Sequence, residues 1–513
     1  MHARPVAEEV APPPGGPRYR AIAEAIVRRI RDGSLQEGER LPPSRELAST
    51  HGVNRATVHQ AVQVLKAGGF VETNKGGGTR VACRSTAQPV VGPNPPWDRI
   101  ASTLLSRVVA ETAAAPALYA AEQGSVPYDL SRLAPDERDF PADAFAQLLA
   151  EVARNGTLLS YGSPFGYRPL RETLAERLRL RGIPADPDAL LIVNGAQQGL
   201  DLVTRAFVDP GDGVAVEVPT YSGALALFRA HRARLLGVPQ DADGPETAAL
   251  EKVLSTGPKF LYTIPDFQNP TGALVPESRR REMARAAAAS GTLVVEDAFD
   301  ADLLVEGVLP PPLAALAPGH VAHLGTLSKA LFPGVRVGWI AGPRELVHRL
   351  AALKRVGELT SPLVLQAAVN LFLVRGEYER HLGRTRTRLR ARLETAHRAI
   401  LESFPAGTSC ARPAGGWVLW IRLPPEVSGR ALAALCREKG VLVSPGADFV
   451  ADGADVPAVR VSVSRGRAAD LQAALGIAGA AARSLARAAR RAARHSPHQP
   501  ETAASREEAL IQV

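Results

Sequence analysis

The chain has 513 residues, which exceeds what one hydrophobic core of ordinary size accommodates and predicts at least two domains. Hydrophobic residues make up 45% and charged residues 22%, and no run approaches the roughly 20 apolar residues of a membrane span, which excludes a membrane-spanning class. The net charge is +9, and residues 18–80 hold 11 Lys and Arg against 6 Asp and Glu. This charge fits a polyanionic partner for the block and a merely solvated basic surface equally well.

The three cysteines are far apart in the sequence, at Cys83, Cys410 and Cys436. This spacing excludes both a disulfide framework and a zinc site, and it predicts a reducing, cytoplasmic location. The first residues lack an apolar core segment, so no signal peptide is expected.

Residues 1–17 are rich in proline and glycine and are predicted to be disordered. Residues 18–82 are predicted to form a separate unit. Its apolar side chains from Tyr19 to Ile30 recur every three or four positions, which predicts an amphipathic helix. A second, short helix follows, with Ser44 as its expected N-cap.

A third helix is predicted from its N-cap, Asn54, through the segment RATVHQAVQVLKAGG. Two short strands follow, joined by a glycine-rich turn at residues 74–78. This order predicts a winged helix-turn-helix, whose third helix enters the major groove of double-stranded DNA while the wing contacts the backbone. A helical adaptor that binds no nucleic acid is the alternative.

Several side chains of this unit are not expected to pack in its core and are suited to DNA contact. Arg55, Thr57 and His59 are expected on the open face at the start of the third helix, where base edges are read. Arg45, at the start of the second helix, is placed for a phosphate. Gly76, in the wing, allows the backbone to approach DNA without a Cβ in the way.

The segment RLPPSRELASTHGVNRATVHQAVQVLKAGGFVETNKGGGTRV resembles the GntR family of regulators over nearly the whole unit. The resemblance implies that the same five residues are the DNA-contact positions. Ala56 and His59 depart from the residues more usual there, so the operator sequence does not follow from the resemblance.

Residues 83–122 are predicted to form a proline-rich linker and a helix, and residues 123–478 a second unit. Residues 479–513 are predicted to be a basic, disordered tail, with a helix as the alternative for its first part. In the second unit, short apolar segments alternate with helical stretches. These segments are LLIV, VAVEV, KFLYTI, TLVVED, VAHLG and VGWIA. The alternation predicts an α/β domain with a mostly parallel sheet covered on both faces.

The segment LGTLSKALFPGVRVGW, residues 324–339, matches the needs of pyridoxal 5'-phosphate. This cofactor requires an amine for its aldehyde, and hydroxyl groups and positive charge for its phosphate. Lys329 is expected to supply the amine as a Schiff base. Thr326, Ser328 and Arg336 are expected to bind the phosphate. A solvated surface lysine is the alternative.

Asp297 follows the hydrophobic segment TLVVE, and ligands bind at the carboxyl ends of such strands. Its carboxylate is expected to pair with the protonated ring nitrogen of the cofactor, rather than to cap the next helix. Asp300 and Asp302 are assigned to the following loop. Asn269, after another strand, is a candidate hydrogen-bond donor to the phenolic oxygen of the ring.

Three further segments complete the predicted site. Gly195 lies between a strand and a helix, so the amides of Ala196 and Gln197 are expected to form a phosphate site. Tyr221 follows a strand and is expected to stack on the ring. Arg460 is suited to a two-point contact with the carboxylate of a bound amino compound.

Seven segments of the second unit resemble fold-type I aminotransferases in the order in which they occur: YGSPFGYRPLR, NGAQQGLDL, PTY, QNPTG, EDAFD, TLSKALFPGVRVGW and AVRVSV. The resemblance implies a large domain with a mostly parallel sheet, a smaller C-terminal α/β domain and a homodimer. It also implies that Tyr161 reaches the phosphate bound by the neighbouring subunit.

Both halves together resemble the MocR subfamily of GntR regulators. Phe299 stands where that subfamily usually has tyrosine, and Asn269 is expected to replace the missing hydroxyl. Gly223 stands where other members have arginine, so a shared effector does not follow from the resemblance.

Three functions fit this sequence. In the first, the chain is a transcription regulator whose aminotransferase-like domain senses a small amino compound by transaldimination at Lys329 and then repositions its DNA-binding domains. In the second, it is an active aminotransferase with an attached DNA-binding domain, and Lys329 is also the general base. In the third, it is a DNA-binding dimer whose large domain has lost the cofactor.

Overall fold

A computed structural model of the chain describes residues 17–74, 78–82, 97–114 and 126–495. The chain divides into two compact units, Met1–Trp97 and Asp98–Val513. The predictions of disorder before residue 17 and of a proline-rich linker from residue 83 to residue 96 lie outside the described residues. Among the helices that the structure describes, none combines the length and apolarity that a membrane span requires.

The first unit has the predicted order of three helices and a two-stranded hairpin. Its elements are α1 (Arg18–Arg31), α2 (Ser44–Thr50), α3 (Arg55–Ala67), β1 (Val71–Asn74) and β2 (Gly78–Val81). The two strands are antiparallel, with Val71 opposite Val81, and both of these side chains are buried. Ile22 and Ile26 of α1 and Leu65 of α3 form the core with them, which is why the apolar spacing marked these helices.

The two predicted helix caps differ in outcome. The side chain of Asn54 accepts a hydrogen bond of 2.8 Å from the amide of Thr57, so the predicted cap of α3 is confirmed. The prediction for α2 is wrong, because Pro43 occupies the N-cap position and Ser44 is the first helical residue. Proline presets an extended backbone before the helix, and no side chain caps α2 at that position.

Helices make up much of the chain from residue 97 onward. They are α4 (Trp97–Ile100), α5 (Thr103–Ala114), α6 (Ala142–Val152), α7 (Arg168–Leu180), α8 (Ala196–Phe207), α9 (Ser222–Ala230), α10 (Thr247–Leu254), α11 (Glu277–Ser290), α12 (Leu313–Leu316), α13 (Arg344–Gly357), α14 (Leu363–Val374), α15 (Glu377–Ser403), α16 (Gly429–Glu438) and α17 (Ala468–His495). The helix predicted after the linker is therefore two helices, with a break at residues 101–102.

The strands of this part alternate with the helices. They are β3 (Tyr128–Asp129), β4 (Leu190–Val193), β5 (Gly213–Val218), β6 (Arg234–Asp241), β7 (Gly244–Pro245), β8 (Phe260–Thr263), β9 (Leu293–Asp297), β10 (Val321–Thr326), β11 (Gly338–Ala341), β12 (Val418–Arg422), β13 (Val441–Leu442), β14 (Ser444–Pro445) and β15 (Ala458–Ser462). Each of the six predicted apolar segments overlaps one of them.

An eight-stranded sheet with the order β4-β11-β10-β9-β8-β5-β6-β7 forms the centre of the second unit. The strands from β10 through β6 in this order are parallel, whereas β11 is antiparallel to both of its neighbours. In β4, Leu190 and Ile192 pack into one hydrophobic cluster and Leu191 and Val193 into another. The sheet is therefore covered on both faces, as predicted for the α/β class.

A smaller sheet follows in the chain, with β15 between β12 and β14, and both pairs are antiparallel. The separate pair β3 and β13 is parallel and joins the segment near residue 128 to the C-terminal part of the chain. These elements form the smaller C-terminal domain that the fold class implies.

The prediction of a disordered tail from residue 479 is wrong for residues 479–495. Helix α17 continues to His495, and Ala481, Ala482 and Ala486 are buried. Helix α17 packs on α15 along a stripe of small apolar side chains, which supplies the burial that keeps an alanine- and arginine-rich segment helical. Residues 496–513 lie outside the described part of the chain.

Candidate active site and nucleic-acid interface

A cavity of about 1370 Å³ opens where the parallel strands of the large sheet end. It is lined by all the residues predicted for cofactor and effector binding except Tyr161: Ala196, Gln197, Tyr221, Asn269, Asp297, Thr326, Ser328, Lys329, Arg336 and Arg460. The sheet therefore brings together side chains that are up to 264 positions apart in the sequence.

Lys329 lies just beyond β10, and its amine donates a hydrogen bond of 2.6 Å to the carbonyl of Leu133. Burial lowers the pKa of Lys329, and the carboxylates of Asp300 and Asp297 oppose this effect. A lowered pKa increases the fraction of free amine, which is the form that attacks an aldehyde.

Asp297 is the last residue of β9 and is 5% exposed. Its Oδ2 accepts a hydrogen bond of 2.8 Å from the hydroxyl of Tyr262, whereas Oδ1 has no hydrogen-bond partner among the described residues. Burial raises the pKa of Asp297 to about 6. A positively charged N–H group in the cavity would satisfy Oδ1 and favour the ionised carboxylate.

The turn after β4 forms an anion site. Gly195 has a φ of 87° and precedes α8, so the amides of Ala196 and Gln197 are free of intrahelical partners. A Cβ at position 195 would lie 3.0 Å from the guanidinium of Arg336, which also donates to the carbonyl of Asn194. The absence of a side chain at this position lets a cation approach the helix N-terminus.

Hydroxyl groups at the end of β10 complete this anion site, which we call the phosphate cradle. Thr326 ends β10, and its hydroxyl lies 3.1 Å from the hydroxyl of Ser328. Both residues are buried beside the cavity. Together with the helix N-terminus and the arginine, they provide the neutral donors and the positive charge that a phosphate group requires.

Glu358 supports the anion-binding turn and was not recognised in the sequence. Its carboxylate accepts hydrogen bonds of 3.1 Å from the side chain of Asn194 and 2.7 Å from that of Gln198. The side chain of Gln198 in turn accepts from the amide of Asn194 at 2.7 Å. Glu358 follows α13 and is 164 residues from Asn194 in the sequence, so no local pattern indicates this role.

Arg460 is 6% exposed and lies on β15. Its partners among the described residues are neutral: it donates to the carbonyl of Ser131, to the hydroxyl of Ser444 at 2.9 Å and to the side-chain oxygen of Asn269 at 3.5 Å. Its guanidinium also lies 5.2 Å from the ring centroid of Phe449. A buried cation without a carboxylate partner is a site for an anionic ligand.

Two further predicted residues line the same cavity. The hydroxyl of Tyr221 donates to the side-chain oxygen of Gln197 at 3.3 Å, and burial raises the pKa of Tyr221 to about 12. Asn269 is buried and reaches the cavity beside Arg460. Phe299, the departure from the MocR pattern, also lines the cavity, so the position lacks a hydroxyl there.

Tyr161 is the predicted residue that the cavity does not include, and its side chain is 79% exposed. Asp300 lies in the loop after β9, as predicted, and its side chain is 1% exposed. Asp300 directly precedes a short 3-10 turn, Ala301–Leu303. Sequence spacing gives no signal for its burial, which depends on contacts with Gly416.

The first unit exposes three of the five predicted DNA-contact residues on its surface. Arg45 on α2 and Arg55 and His59 on α3 are exposed, opposite the buried face of α3. Thr57 is half-buried, and its hydroxyl donates to the side chain of Asn54 at 2.8 Å, so this hydroxyl supports the helix cap. Gly76 lies outside the described residues.

Comparison with known proteins agrees with both units. Residues 132–477 match the family "Aminotransferase class I and II", and residues 18–81 match "Bacterial regulatory proteins, gntR family". The chain is 31% identical over 91% of its length to an uncharacterized HTH-type transcriptional regulator, YisV, of Bacillus subtilis, and covers 96% of that protein. It is 31% identical over 72% of its length to the probable rhizopine catabolism regulatory protein MocR of Rhizobium meliloti, and covers 74% of that protein.

A solved structure shows the same fold. The α-aminoadipate aminotransferase LysN of Thermus thermophilus, complexed with N-(5'-phosphopyridoxyl)-L-leucine, matches with a TM-score of 0.71 and 31% identity. The match covers 77% of this chain and 100% of LysN. The expected fold class is therefore confirmed.

The family implies pyridoxal 5'-phosphate as the cofactor, and the cavity fits it: an amine for the aldehyde, an unpaired carboxylate oxygen for the ring nitrogen and an anion cradle for the phosphate. The HTH-type relatives favour a transcription regulator over a free-standing aminotransferase. The chain belongs to the aminotransferase class I and II family and carries a gntR-family DNA-binding unit before it, which is the architecture of MocR-like transcription regulators.

Proposed function

We propose that this chain is a pyridoxal-phosphate-dependent transcription regulator that senses a small amino compound at Lys329. One observation carries the proposal: a partly buried amine with a lowered pKa and an unpaired buried carboxylate line one cavity, and the same chain exposes a helix face suited to DNA. Groups with perturbed pKa values that converge in one cavity are typical of functional sites.

The bound cofactor would supply an aldehyde carbon that exchanges one amine for another. The residues of this chain hold and orient it. Lys329 would provide the amine, Asp297 would accept the ring N–H, and Arg336 with the N-terminus of α8 would bind the phosphate. Arg460 holds the carboxylate of the incoming amino compound, and its buried position excludes water from that contact.

We also propose that the protein acts as a cytoplasmic homodimer. Tyr161 of the partner subunit would reach the phosphate, since this side chain is exposed and lies outside its own cavity. The exposed apolar side chains of Leu104 and Leu105 on α5 support an interface in the second unit. In this proposal, residues 18–82 bind DNA, 83–122 connect, and 123–478 with α17 form the sensor.

The regulatory link is tested by mobility shifts on the DNA upstream of the protein's own gene. The full-length protein is compared without cofactor, with pyridoxal phosphate, and with pyridoxal phosphate plus a panel of amino compounds. We expect at least one compound to change the DNA affinity or footprint, because a ligand shifts a conformational equilibrium only by binding its two states differently. Identical binding curves in every condition would remove the regulatory function.

A second candidate function is an aminotransferase that retains turnover. Lys329 and Arg460, the residues that would act as proton-transfer base and carboxylate anchor, are both present in the cavity. Repeated turnovers with an amino acid and an oxo acid would support this candidate. One amine exchange per subunit without turnover would support the sensor alone.

Arg460→Met should weaken binding of an α-amino acid by about 2 kcal/mol or more, which is about 30-fold. The substitution keeps a long side chain but removes the buried cation that faces the carboxylate. The matched ligand is the amine that lacks only the carboxylate, whose affinity should not fall. Spectroscopic titration of both ligands measures the difference, and an equal loss for both would contradict the assigned role.

A further inference from the structure

Tyr262 of β8 contacts Asp297 but does not itself line the cavity. It is 0% exposed, and its hydroxyl donates a hydrogen bond of 2.8 Å to Oδ2 of Asp297. Asp297 lines the cavity and is 5% exposed. The tyrosine is therefore out of reach of a ligand in the cavity, but it contacts the carboxylate that a ligand would meet.

The pairing of two neighbouring strands places these side chains on one face of the sheet. Tyr262 lies opposite Val295 in the parallel pair of β8 and β9. Asp297 is two residues beyond Val295 in the same strand, so its side chain lies on the same face. A diagonal neighbour on one face of a sheet is within reach of an aromatic side chain. The contact therefore follows from the register of the sheet.

Aromatic packing fixes the ring of Tyr262. Phe228 of α9 packs against it edge to face, with the ring centroids 5.7 Å apart and an interplanar angle of 75°. The ring of Phe228 also lies 5.6 Å from that of Phe260, and all three side chains are 0% exposed. In a close-packed core, a ring held in this way cannot turn its hydroxyl toward another acceptor without displacing its neighbours.

Glu217 of β5 is a second buried carboxylate that acts on Tyr262 electrostatically. It has donors of its own, because it accepts hydrogen bonds of 3.2 Å from the amide of Ile264 and 2.9 Å from the side chain of Gln268. It therefore does not depend on the tyrosine hydroxyl, which donates to Asp297.

We propose that Tyr262 is a positioning residue that holds Oδ2 of Asp297, presents Oδ1 to the ring nitrogen of the cofactor, and keeps a proton on that nitrogen rather than on the carboxyl. A hydrogen bond donated to a carboxylate favours its ionised form. A proton shared between Oδ1 and the ring nitrogen therefore lies nearer the nitrogen when the tyrosine hydroxyl is present. The inference rests on the proposed function in taking Asp297 as the partner of the ring nitrogen.

The charges around Asp297 agree with this role. Burial raises the pKa of Asp297 to about 6, and the hydrogen bond from Tyr262 is the strongest of the influences that oppose burial. His323, the backbone amide of Phe299 and Lys329 act in the same direction as the tyrosine, but less strongly. Removal of the hydroxyl should therefore make the carboxyl a stronger base. Three further titratable groups interact with this carboxylate: Glu217, Tyr221 and Asp300.

The test compares the full-length wild type with Tyr262→Phe, which lacks only the hydroxyl. Both proteins are loaded with pyridoxal 5'-phosphate that carries nitrogen-15 in the ring, and the chemical shift of this nitrogen is measured by nuclear magnetic resonance. We expect the wild-type value to be that of a protonated pyridine. The value in Tyr262→Phe should move toward that of an unprotonated pyridine, because the proton moves toward Asp297.

A second readout is the affinity for the cofactor. Tyr262→Phe should bind pyridoxal 5'-phosphate about tenfold more weakly, which is the scale of one hydrogen bond to a charged group. The matched ligand is the analogue of pyridoxal 5'-phosphate with carbon in place of the ring nitrogen. Its affinity should not fall in the variant, because it offers no N–H group to the carboxylate.

The matched control is Tyr378→Phe. Tyr378 is also 0% exposed, and its hydroxyl donates to Oδ2 of Asp302 at 2.6 Å, but neither residue lines the cavity. This variant removes the same kind of bond elsewhere, so the nitrogen signal and both affinities should stay at the wild-type values. Equal changes in the two variants would count against the proposal, because they would reflect a general effect on the fold.

A pair of variants covers poor folding of Tyr262→Phe. Asp297→Ala combined with Tyr262→Phe removes both partners of the buried bond, which costs less stability than leaving one of them unpaired. If the tyrosine acts through Asp297, this double variant and Asp297→Ala should bind pyridoxal 5'-phosphate equally. Weaker binding by the double variant would show that Tyr262 acts by another route and would refute the inference.

The outcomes separate this inference from the proposed function. A folded Tyr262→Phe with the nitrogen signal and the cofactor affinity of the wild type would overturn the inference alone. A wild-type protein with an unprotonated ring nitrogen would overturn the role assigned to Asp297 in the proposed function, and the inference with it.

Discussion

Replacing Lys329 with alanine should abolish covalent attachment of pyridoxal phosphate to the protein. Lys329 lines the same cavity as Asp297 and the phosphate-binding residues, and its partly buried amine has a lowered pKa, so it is the amine best placed to form the Schiff base. After borohydride reduction and extensive dialysis, wild-type protein should retain the cofactor on the peptide that contains residue 329. The variant should retain none.

The control for this experiment is Lys354→Met. Lys354 is also buried, burial also lowers its pKa, and its amine donates to the carbonyl of Pro164 at 3.2 Å. It does not line the cavity, so Lys354→Met should keep the cofactor on the residue-329 peptide. Cofactor that remains bound covalently in Lys329→Ala, on any other peptide, would refute the assigned site.

Arg55→Ala should weaken specific DNA binding by about 1–3 kcal/mol, which is about 5- to 150-fold. Arg55 is the first residue of α3 and is exposed where the helix would meet base edges, and Asn54 caps the helix directly before it. Because the side chain is exposed and lies outside the core, the free energy of unfolding should change little. Mobility shifts at fixed salt, on specific and scrambled DNA, measure the loss of affinity and of discrimination.

Arg28→Ala provides a control of equal charge change. Arg28 is exposed on α1, a helix that the winged helix-turn-helix geometry does not place in the major groove. We expect its specific binding to stay close to that of the wild type, and pyridoxal phosphate binding to stay intact in both variants. If Arg28→Ala and Arg55→Ala lose affinity equally on both DNAs, α3 does not read the bases.

Much of the fold followed from local patterns. The apolar spacing from Tyr19 to Ile30 marked α1, and six apolar segments marked strands of the large sheet, because burial on one helix face or both sheet faces imposes that spacing. The direction of β11 did not follow, since an apolar segment reads alike in parallel and antiparallel pairs. The burial of residues 479–495 did not follow either, because it depends on packing against α15.

The candidate site shows the same division. Lys329, Asp297 and the turn at Gly195 each lie next to the end of a strand, so their residue types and positions predict a cofactor cavity. Asp300 and Glu358 have no such marker. The surroundings of Asp300 and the hydrogen bonds of Glu358 depend on segments more than one hundred residues away in the sequence.

The sequence by itself determined the two-unit architecture, the cofactor class and most of the residues that line the cavity, because these depend on periodicity, caps and motifs that local chemistry makes recognisable. The tertiary structure alone decided which carboxylates are buried and which side chains contact them. It also decided the surface on which a helix such as α17 packs. Burial and the electrostatics that follow from it belong to the folded arrangement, since they depend on distances between segments and not on their order.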